Sequence, residues 1–314
     1  MKRILSFILT FCALLACSSV AEAQKFTFTP QWTAQAQFAG YYVAQDLGFY
    51  KEAGLDVDIV HPSATQSALN SLLRKECDAI TMMLPQAIET VDGGRPLVNI
   101  LQTSMNSGLV IVSRKDEDPV KQKGIRVGIW TGFDQLPMSM AIKENLDYEW
   151  IRFASGVNLL ISGALDASVA MSYNEYYQLK QAGMELTDTN VYRFCDHGYN
   201  VQEDGVYVTR EFYNKNREAC QKFAAASRRG WEWAAEHPAE TLEIVMKYVR
   251  QGRVETNPIL QELMLDEILR LQVDRESGER EFRLRPDMVE MMNDLMMENQ
   301  IILNGVTYED LIAR

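Results

Sequence analysis

The chain has 314 residues and a formal net charge of −12, and its length suits one large or two medium domains. Its 47% hydrophobic and 24% charged residues are an ordinary globular balance. Because an acidic chain without a basic run offers no surface that neutralises phosphate groups, we do not expect nucleic acid as a partner.

The N-terminus has the features of a signal peptide. Two basic residues precede an apolar run over 4–16 that is too short to span a bilayer. The small-x-small sequence Ala-Glu-Ala follows, as at a signal-peptidase site, so we expect residues 1–23 to be a signal peptide and the protein to be exported. The sequence Leu-Leu-Ala-Cys, which ends at Cys17, resembles a lipobox and leaves a lipid anchor as an alternative.

After residue 24, strand-like and helix-like segments alternate with short connections. The predicted strands are 26–30, 56–61, 78–83, 98–102, 109–112, 125–130, 148–153, 167–171, 191–194 and 206–209. The helices predicted between them are 36–53, 65–75 with Thr65 as its N-cap, 85–92, 133–145, 157–163 and 174–182. A polar stretch at 113–124 separates two βα-rich halves, so the predicted fold class is α/β. Only helices are predicted beyond residue 210, at 211–235, 238–250, 258–271, 286–299 and 307–313.

The cysteines and histidines give no support for a disulfide framework, a metal site or a cofactor. Of the five cysteines, three lie after the leader, at positions 77, 195 and 220, and at most one pair can form. The three histidines are scattered and match no metal-binding spacing. We therefore expect no metal and no cofactor.

Aromatic and polar residues follow several of the predicted strands. Because α/β proteins bind ligands at the carboxyl ends of their strands, we expect these residues to line a binding site. They are Trp32, Met83, Trp130, Gly132, Tyr173, Asn174 and Glu175, and Glu203, which precedes the strand predicted at 206–209, is expected at the same site. Tyr41 and Tyr42, on the first helix, are further candidates, but they cannot both face one way, so at least one should pack in the core.

These residue types favour a small planar heterocyclic ligand that carries an amine. Indole and phenol rings can sandwich a flat ring, and a carboxylate can accept a hydrogen bond from an exocyclic amine. The strand ends offer few arginines, which argues against a phosphate or a sulfonate. The backbone amides of 132–134 and the hydroxyls of Ser104, Ser107 and Ser172 keep an oxyanion as an alternative ligand.

Four stretches of the sequence resemble one known family. They read F-A-G-Y-Y-V-A-Q-D-L-G-F-Y-K-E-A-G-L-D-V (38–57), R-V-G-I-W-T-G-F (126–133), A-M-S-Y-N-E-Y-Y-Q-L-K-Q-A-G (170–183) and Q-E-D-G-V-Y-V (202–208). They are similar to the periplasmic solute-binding proteins of ABC importers, in the branch that binds thiamine pyrimidine precursors. Sulfonate and nitrate binders are related to this branch. The resemblance covers nearly the whole chain after the leader.

The resemblance implies a two-lobe, periplasmic-binding-protein-like (type II) fold with a helical C-terminal region. Residues 24–112 and 210–314 would form lobe 1 with the helical tail, and 113–209 would form lobe 2, with the ligand between the lobes. A membrane ABC permease is the implied partner, and the periplasm the implied location. Binding roles are carried over to Trp32, Tyr41, Trp130, Tyr173, Asn174, Glu175 and, less directly, Glu203.

Two other functions stay open at this point. One is a binder of sulfonate, nitrate or a related anion. The other is an enzyme, because fungal members of the superfamily make the thiamine pyrimidine from pyridoxal phosphate and a histidine of their own. Those enzymes carry a cysteine cluster that this chain lacks, so we predict a binding protein rather than an enzyme.

Overall fold

The computed structural model describes residues 23–62 and 66–313, and its strands form two five-stranded sheets. The strands are β1 (Gln24–Thr29), β2 (Leu55–Ile59), β3 (Ala79–Met82), β4 (Leu97–Gln102), β5 (Leu109–Ser113), β6 (Ile125–Trp130), β7 (Tyr148–Phe153), β8 (Ala167–Met171), β9 (Val191–Arg193) and β10 (Gly205–Thr209). The helices of the βα halves are α1 (Ala39–Asp46), α2 (Phe49–Glu52), α3 (Ala68–Leu73), α4 (Leu84–Asp92), α5 (Gln135–Lys143), α6 (Asn158–Ile161) and α7 (Glu175–Gln181). The C-terminal helices are α8 (Arg210–Lys215), α9 (Arg217–Glu236), α10 (Pro238–Gln251), α11 (Pro258–Leu271), α12 (Pro286–Glu298) and α13 (Tyr308–Leu311).

The two sheets repeat one topology, and each contains one strand from the other half of the chain. The first sheet has the order β2-β1-β3-β10-β4, with β10 antiparallel to both of its neighbours. The second has the order β7-β6-β8-β5-β9, with β5 antiparallel to both of its neighbours. The α/β class, the two-lobe architecture and the helical C-terminal region are thereby confirmed.

The exchanged strands change the predicted lobe boundaries. Strand β5 belongs to the second sheet although it was placed in lobe 1, and β10 belongs to the first sheet although it was placed in lobe 2. Both strands are buried apolar runs, and such a run does not specify the sheet it joins. We therefore propose that the chain crosses between the lobes at 103–108 and 194–204, rather than at 112 and 209.

Several predicted helix bounds are also corrected. The helix predicted at 36–53 is a short 3-10 turn followed by α1 and α2, which Gly48 separates with a left-handed φ of 77°. Helix α3 begins after Ser67, whose hydroxyl caps it by accepting from the Asn70 backbone N–H. Thr65, the predicted N-cap, lies outside the described residues. Asn216 divides the long helix predicted at 211–235 into α8 and α9.

The predicted leader and the alternative anchor at Cys17 also lie outside the described part of the chain, which begins at residue 23. Within the described ranges, no helix is both long and apolar enough to cross a membrane. The thiols of Cys77, Cys195 and Cys220 are free, and no group of three His, Cys, Asp or Glu side chains among the described residues could hold a metal ion.

Two glycines allow α1 and α9 to pack closely behind the first sheet. A methyl group added at Gly230 would overlap the carbonyl oxygen of Gly40, and one added at Gly40 would overlap the indole of Trp231. Trp231 is 1% exposed and stands edge-on to the ring of Tyr41, with 5.7 Å between ring centroids. This close approach buries the side of α1 that carries Tyr41.

We expect Gly230→Ala to lower the free energy of unfolding by about 1–3 kcal/mol, because the helices must separate to admit the methyl group. Gly252→Ala is the matched control. Its φ is −75°, and the nearest atom to the added methyl is 3.4 Å away, so its effect should stay within about 0.5 kcal/mol. Urea unfolding would measure the stabilities of both variants. Equal stabilities would contradict the close approach of α1 and α9.

Candidate functional site

A cleft lies where the strand ends of the two lobes meet. It contains about 430 Å³ of space not filled by atoms, part of it open to solvent. Its lining residues end or follow β1, β3, β6 and β8: Gln31, Trp32, Gln35, Gln37, Met83, Trp130, Phe133, Met171, Tyr173, Asn174 and Glu175. The cleft therefore receives residues from both sheets at the position where α/β proteins bind ligands.

Aromatic rings from both lobes form its apolar walls. Trp32, from the first lobe, meets Phe133, from the second, edge to face with 6.4 Å between ring centroids. Trp130 and Tyr173 are buried beside them, at 7% and 3% exposure. Rings at these positions can stack on a flat ligand, which contributes about 0.5–1.5 kcal/mol per ring pair beyond the area buried.

The carboxyl group of the cleft is Glu175, at the first residue of α7. Its Oε2 accepts from the Met171 backbone N–H at 3.1 Å, and its Oε1 accepts from Asn174 Nδ2 at 3.0 Å. Burial raises the pKa of Glu175 to about 7, although these hydrogen bonds favour the ionised form. Near neutral pH the group can therefore either accept from an amine or, when protonated, donate to a ring nitrogen.

Asn174 orients this carboxyl group. Its Nδ2 donates to Glu175, while its Oδ1 accepts from Gln178 Nε2 at 2.7 Å. Because both ends of the amide are occupied, its orientation is fixed. Asn174 thus supports the carboxylate as well as lining the cleft.

Tyr42 lies behind the cleft and supports Trp32 through His61. The Tyr42 hydroxyl is 2.7 Å from His61 Nε2, and His61 Nδ1 is 2.6 Å from the Trp32 carbonyl oxygen. Since a carbonyl oxygen only accepts, Nδ1 carries the proton and Nε2 accepts from Tyr42 in the neutral ring. Burial lowers the pKa of His61, which favours that neutral form.

Four of the ten predicted site residues do not line the cleft. Tyr41 and Tyr42 are at most 1% exposed and pack in the core, against Trp231 and Tyr248. The packing of α1 against α9 and α10 buries both rings away from the cleft, and a ligand contact of one of them stays a prediction.

Gly132 and Glu203 are the other two. The Gly132 carbonyl oxygen accepts from Gln86 Nε2 at 3.0 Å, which joins the two lobes at the rim of the cleft. Glu203 lines a smaller inner chamber, where it accepts from Ser107 Oγ at 2.6 Å and from the Gly108 N–H at 3.0 Å. Burial raises the pKa of Glu203 to about 8. The inner chamber shares only Gln37 and Tyr173 with the cleft.

The oxyanion alternative finds little support in this arrangement. None of the described residues that line the cleft is an arginine or a lysine. The hydroxyls of Ser104, Ser107 and Ser172 donate to Asn106, Glu203 and Glu267 respectively, and none of the three serines lines the cleft. An anion would therefore meet Glu175 without a cationic partner.

Five lining residues were not predicted from the sequence. Phe133 and Met171 adjoin predicted site residues, so their neighbours in sequence were a usable signal. Gln31, Gln35 and Gln37 gave none, because a neutral amide between two structural elements resembles any surface residue until its contacts are known.

Known proteins resemble this chain in sequence and in fold. The family model described as NMT1/THI5 like matches residues 35–241. The formylaminopyrimidine-binding protein of Halalkalibacterium halodurans is 25% identical over 282 residues, which are 83% of this chain and 82% of that protein. A 4-amino-5-hydroxymethyl-2-methylpyrimidine phosphate synthase of Saccharomyces cerevisiae, THI13, is 22% identical and covers 70% of this chain and 69% of its own length.

Among solved structures, the periplasmic aliphatic sulphonate-binding protein SsuA of Escherichia coli matches with a TM-score of 0.66 and 15% sequence identity. The match covers 92% of this chain and 97% of that one, and it supports the two-lobe fold alone. Because the family model spans more than half of the sequence, the protein belongs to the NMT1/THI5-like family.

Proposed function

We propose that the protein is the extracytoplasmic solute-binding component of an ABC importer and that it binds a thiamine pyrimidine precursor, an aminopyrimidine, in the cleft. The observation that carries this proposal is the buried carboxyl group of Glu175 among aromatic walls, in a cleft lined by no cationic side chain of the described chain. The bacterial relative named as a formylaminopyrimidine-binding protein supports the same ligand class.

The chemistry of an aminopyrimidine suits these groups. Its ring is flat and stacks on indole and phenol faces. One edge carries an amine next to a ring nitrogen, which together present a donor and an acceptor. A carboxyl group with a pKa of about 7 can pair with that edge in either of its protonation states.

The mechanism that we propose is closure of the two lobes on the ligand, followed by recognition of the closed form by a membrane permease. Two hydrogen bonds already join the lobes at the rim of the cleft. Gln86 Nε2 donates to the Gly132 carbonyl oxygen, and Gln135 Nε2 donates to Glu89 Oε2 at 2.7 Å. These contacts are those expected of a closed form.

The fungal relatives named as synthases make an enzyme the second candidate. We propose binding without a reaction. None of the described residues that line the cleft is a histidine or a cysteine. The nearby His61 is engaged on both ring nitrogens by Tyr42 and Trp32.

A thermal-shift comparison tests the ligand class. A formylated aminopyrimidine at 100 times its dissociation constant should stabilise the protein by about 2.7 kcal/mol, while nitrate and ethanesulfonate should have no effect. A rise in melting temperature with the anions, and none with the aminopyrimidine, would contradict the proposed function. Turnover of added pyridoxal phosphate would favour the enzyme instead.

A further inference from the structure

Asp204 lies behind the cleft and holds two of its glutamines. It precedes β10, is 7% exposed and lines the inner chamber. Its Oδ1 accepts from Gln31 Nε2, and its Oδ2 accepts from Gln37 Nε2 at 2.8 Å. Both glutamines line the cleft, so one carboxylate just before β10 fixes two amides of the segment that follows β1.

The carboxylate sets which end of each amide faces it. Burial raises the pKa of Asp204 to about 6, so the group is ionised at pH 8 and can only accept. Gln31 and Gln37 must therefore turn their NH₂ groups towards Asp204 and their oxygens away from it. The Gln37 oxygen then accepts from Gln35 Nε2 at 2.6 Å, which is consistent with this orientation.

The side-chain oxygen of Gln31 remains without a donor among the described residues. Its Oε1 is buried and has no hydrogen-bond partner in the described part of the chain. The residue is also fixed at its backbone, because its N–H donates to Thr81 Oγ1 at 2.8 Å. A buried acceptor that is held in place and lacks a donor is costly, and a ligand N–H would satisfy it.

We propose that Asp204 is a positioning residue that makes the Gln31 wall of the cleft a hydrogen-bond acceptor, so that the site selects ligands that offer an N–H at this wall. The proposal rests on the proposed function and deepens it, because it states the polarity that the ligand must have. A ligand that presented only acceptors would leave Gln31 Oε1 unpaired, which corresponds to a loss of about 5- to 150-fold in affinity.

Asp204→Asn is the first test, measured by calorimetric titration of a formylated aminopyrimidine at pH 8. The new amide can accept from Gln37 with its oxygen and donate towards Gln31 with its nitrogen. Gln31 must then turn its own NH₂ group to the ligand. Two N–H donors then face each other and cannot form a hydrogen bond. We expect the affinity to fall about 10- to 100-fold.

The second test is rescue. In Asp204→Asn/Gln31→Glu the direction of the hydrogen bond is reversed, and an acceptor oxygen again faces the ligand. The pair keeps one carboxylate and one amide, so its charge is unchanged. We expect the affinity to return to within about 5-fold of the wild type. A double variant that binds as weakly as Asp204→Asn would overturn the proposal, because a merely structural role of Asp204 could not be rescued from Gln31.

A third variant and a second ligand cover the remaining outcomes. If Asp204→Asn does not fold, Gln31→Met removes the acceptor alone, and an unchanged affinity for the aminopyrimidine would overturn the inference. If the wild type binds the aminopyrimidine but the affinity losses of the two substitutions add, or the double variant regains no affinity, the inference is overturned and the proposed function stands. A wild type that binds ethanesulfonate and no aminopyrimidine would overturn both.

Discussion

Glu175→Gln should weaken the binding of a formylated aminopyrimidine by about 10- to 150-fold, the loss expected when a hydrogen bond to a charged group is removed. The substitution keeps the shape of the side chain but removes its charge. The resulting amide also places a donor where Met171 N–H and Asn174 Nδ2 already donate, so it fits less well than the carboxyl group. Calorimetric titration measures the affinity.

The same substitution should change how stability depends on pH. Because burial raises the pKa of Glu175 from 4.5 to about 7 in the folded protein, the folded state binds the proton more tightly than the unfolded state does. The contribution of this group to stability is therefore present below about pH 4.5 and is lost as the pH rises towards 7. In Glu175→Gln without ligand, the free energy of unfolding should fall less between pH 5 and 8 than in the wild type.

Glu185→Gln is the control for the affinity, since Glu185 is exposed and outside the cleft. It should leave the affinity unchanged. If Glu175→Gln bound the aminopyrimidine as tightly as the wild type, the proposed contact between the Glu175 carboxyl group and the ligand would be contradicted.

Trp32→Ala should lower the affinity for the same ligand by about 30-fold or more, because it removes both a stacking surface and much of the apolar area of one wall. Trp32→Phe should lose far less, since it retains an aromatic face. The backbone carbonyl of Trp32, which accepts from His61, is kept in both variants. The hydrogen bond between His61 and residue 32 should therefore be kept in both variants. The loss of affinity should appear as faster dissociation of the ligand.

The matched control is Trp233→Ala. Trp233 is also partly buried and stacks on His237 with 4.4 Å between ring centroids, but it lies on α9 and does not line the cleft. It should reduce the melting temperature without changing the affinity. Equal affinity losses in Trp32→Ala and Trp233→Ala would mean that Trp32 acts through stability rather than through contact.

Much of the architecture could be predicted from the sequence. The alternation of apolar strands and amphipathic helices is a local signal, and it predicted both βα-rich halves and the helical tail. The sheet membership of β5 and β10 is not local, because it depends on pairing between residues that lie far apart in the chain. The lobe boundaries that we propose therefore differ by one strand each from those predicted at 112 and 209.

The site was predictable where a strand end fixes the position of a side chain. Trp130 ends β6, and Tyr173 to Glu175 follow β8, so their convergence required only the rule for strand ends. Tyr41 and Tyr42 lie on a helix, and their orientation depends on Gly40 and on the packing of α9, which lies much later in the sequence. The orientation of Gln31 likewise depends on a carboxylate 173 positions away.

The most direct test of the central claim is a crystal structure of the protein grown with a formylated aminopyrimidine. We expect the ring to lie in the cleft against Trp32 and Trp130, with its amine nitrogen about 3 Å from a carboxyl oxygen of Glu175. A ligand bound outside the cleft, or one turned so that its amine faces solvent and no N–H reaches Glu175 or Gln31, would contradict the proposed mode of binding.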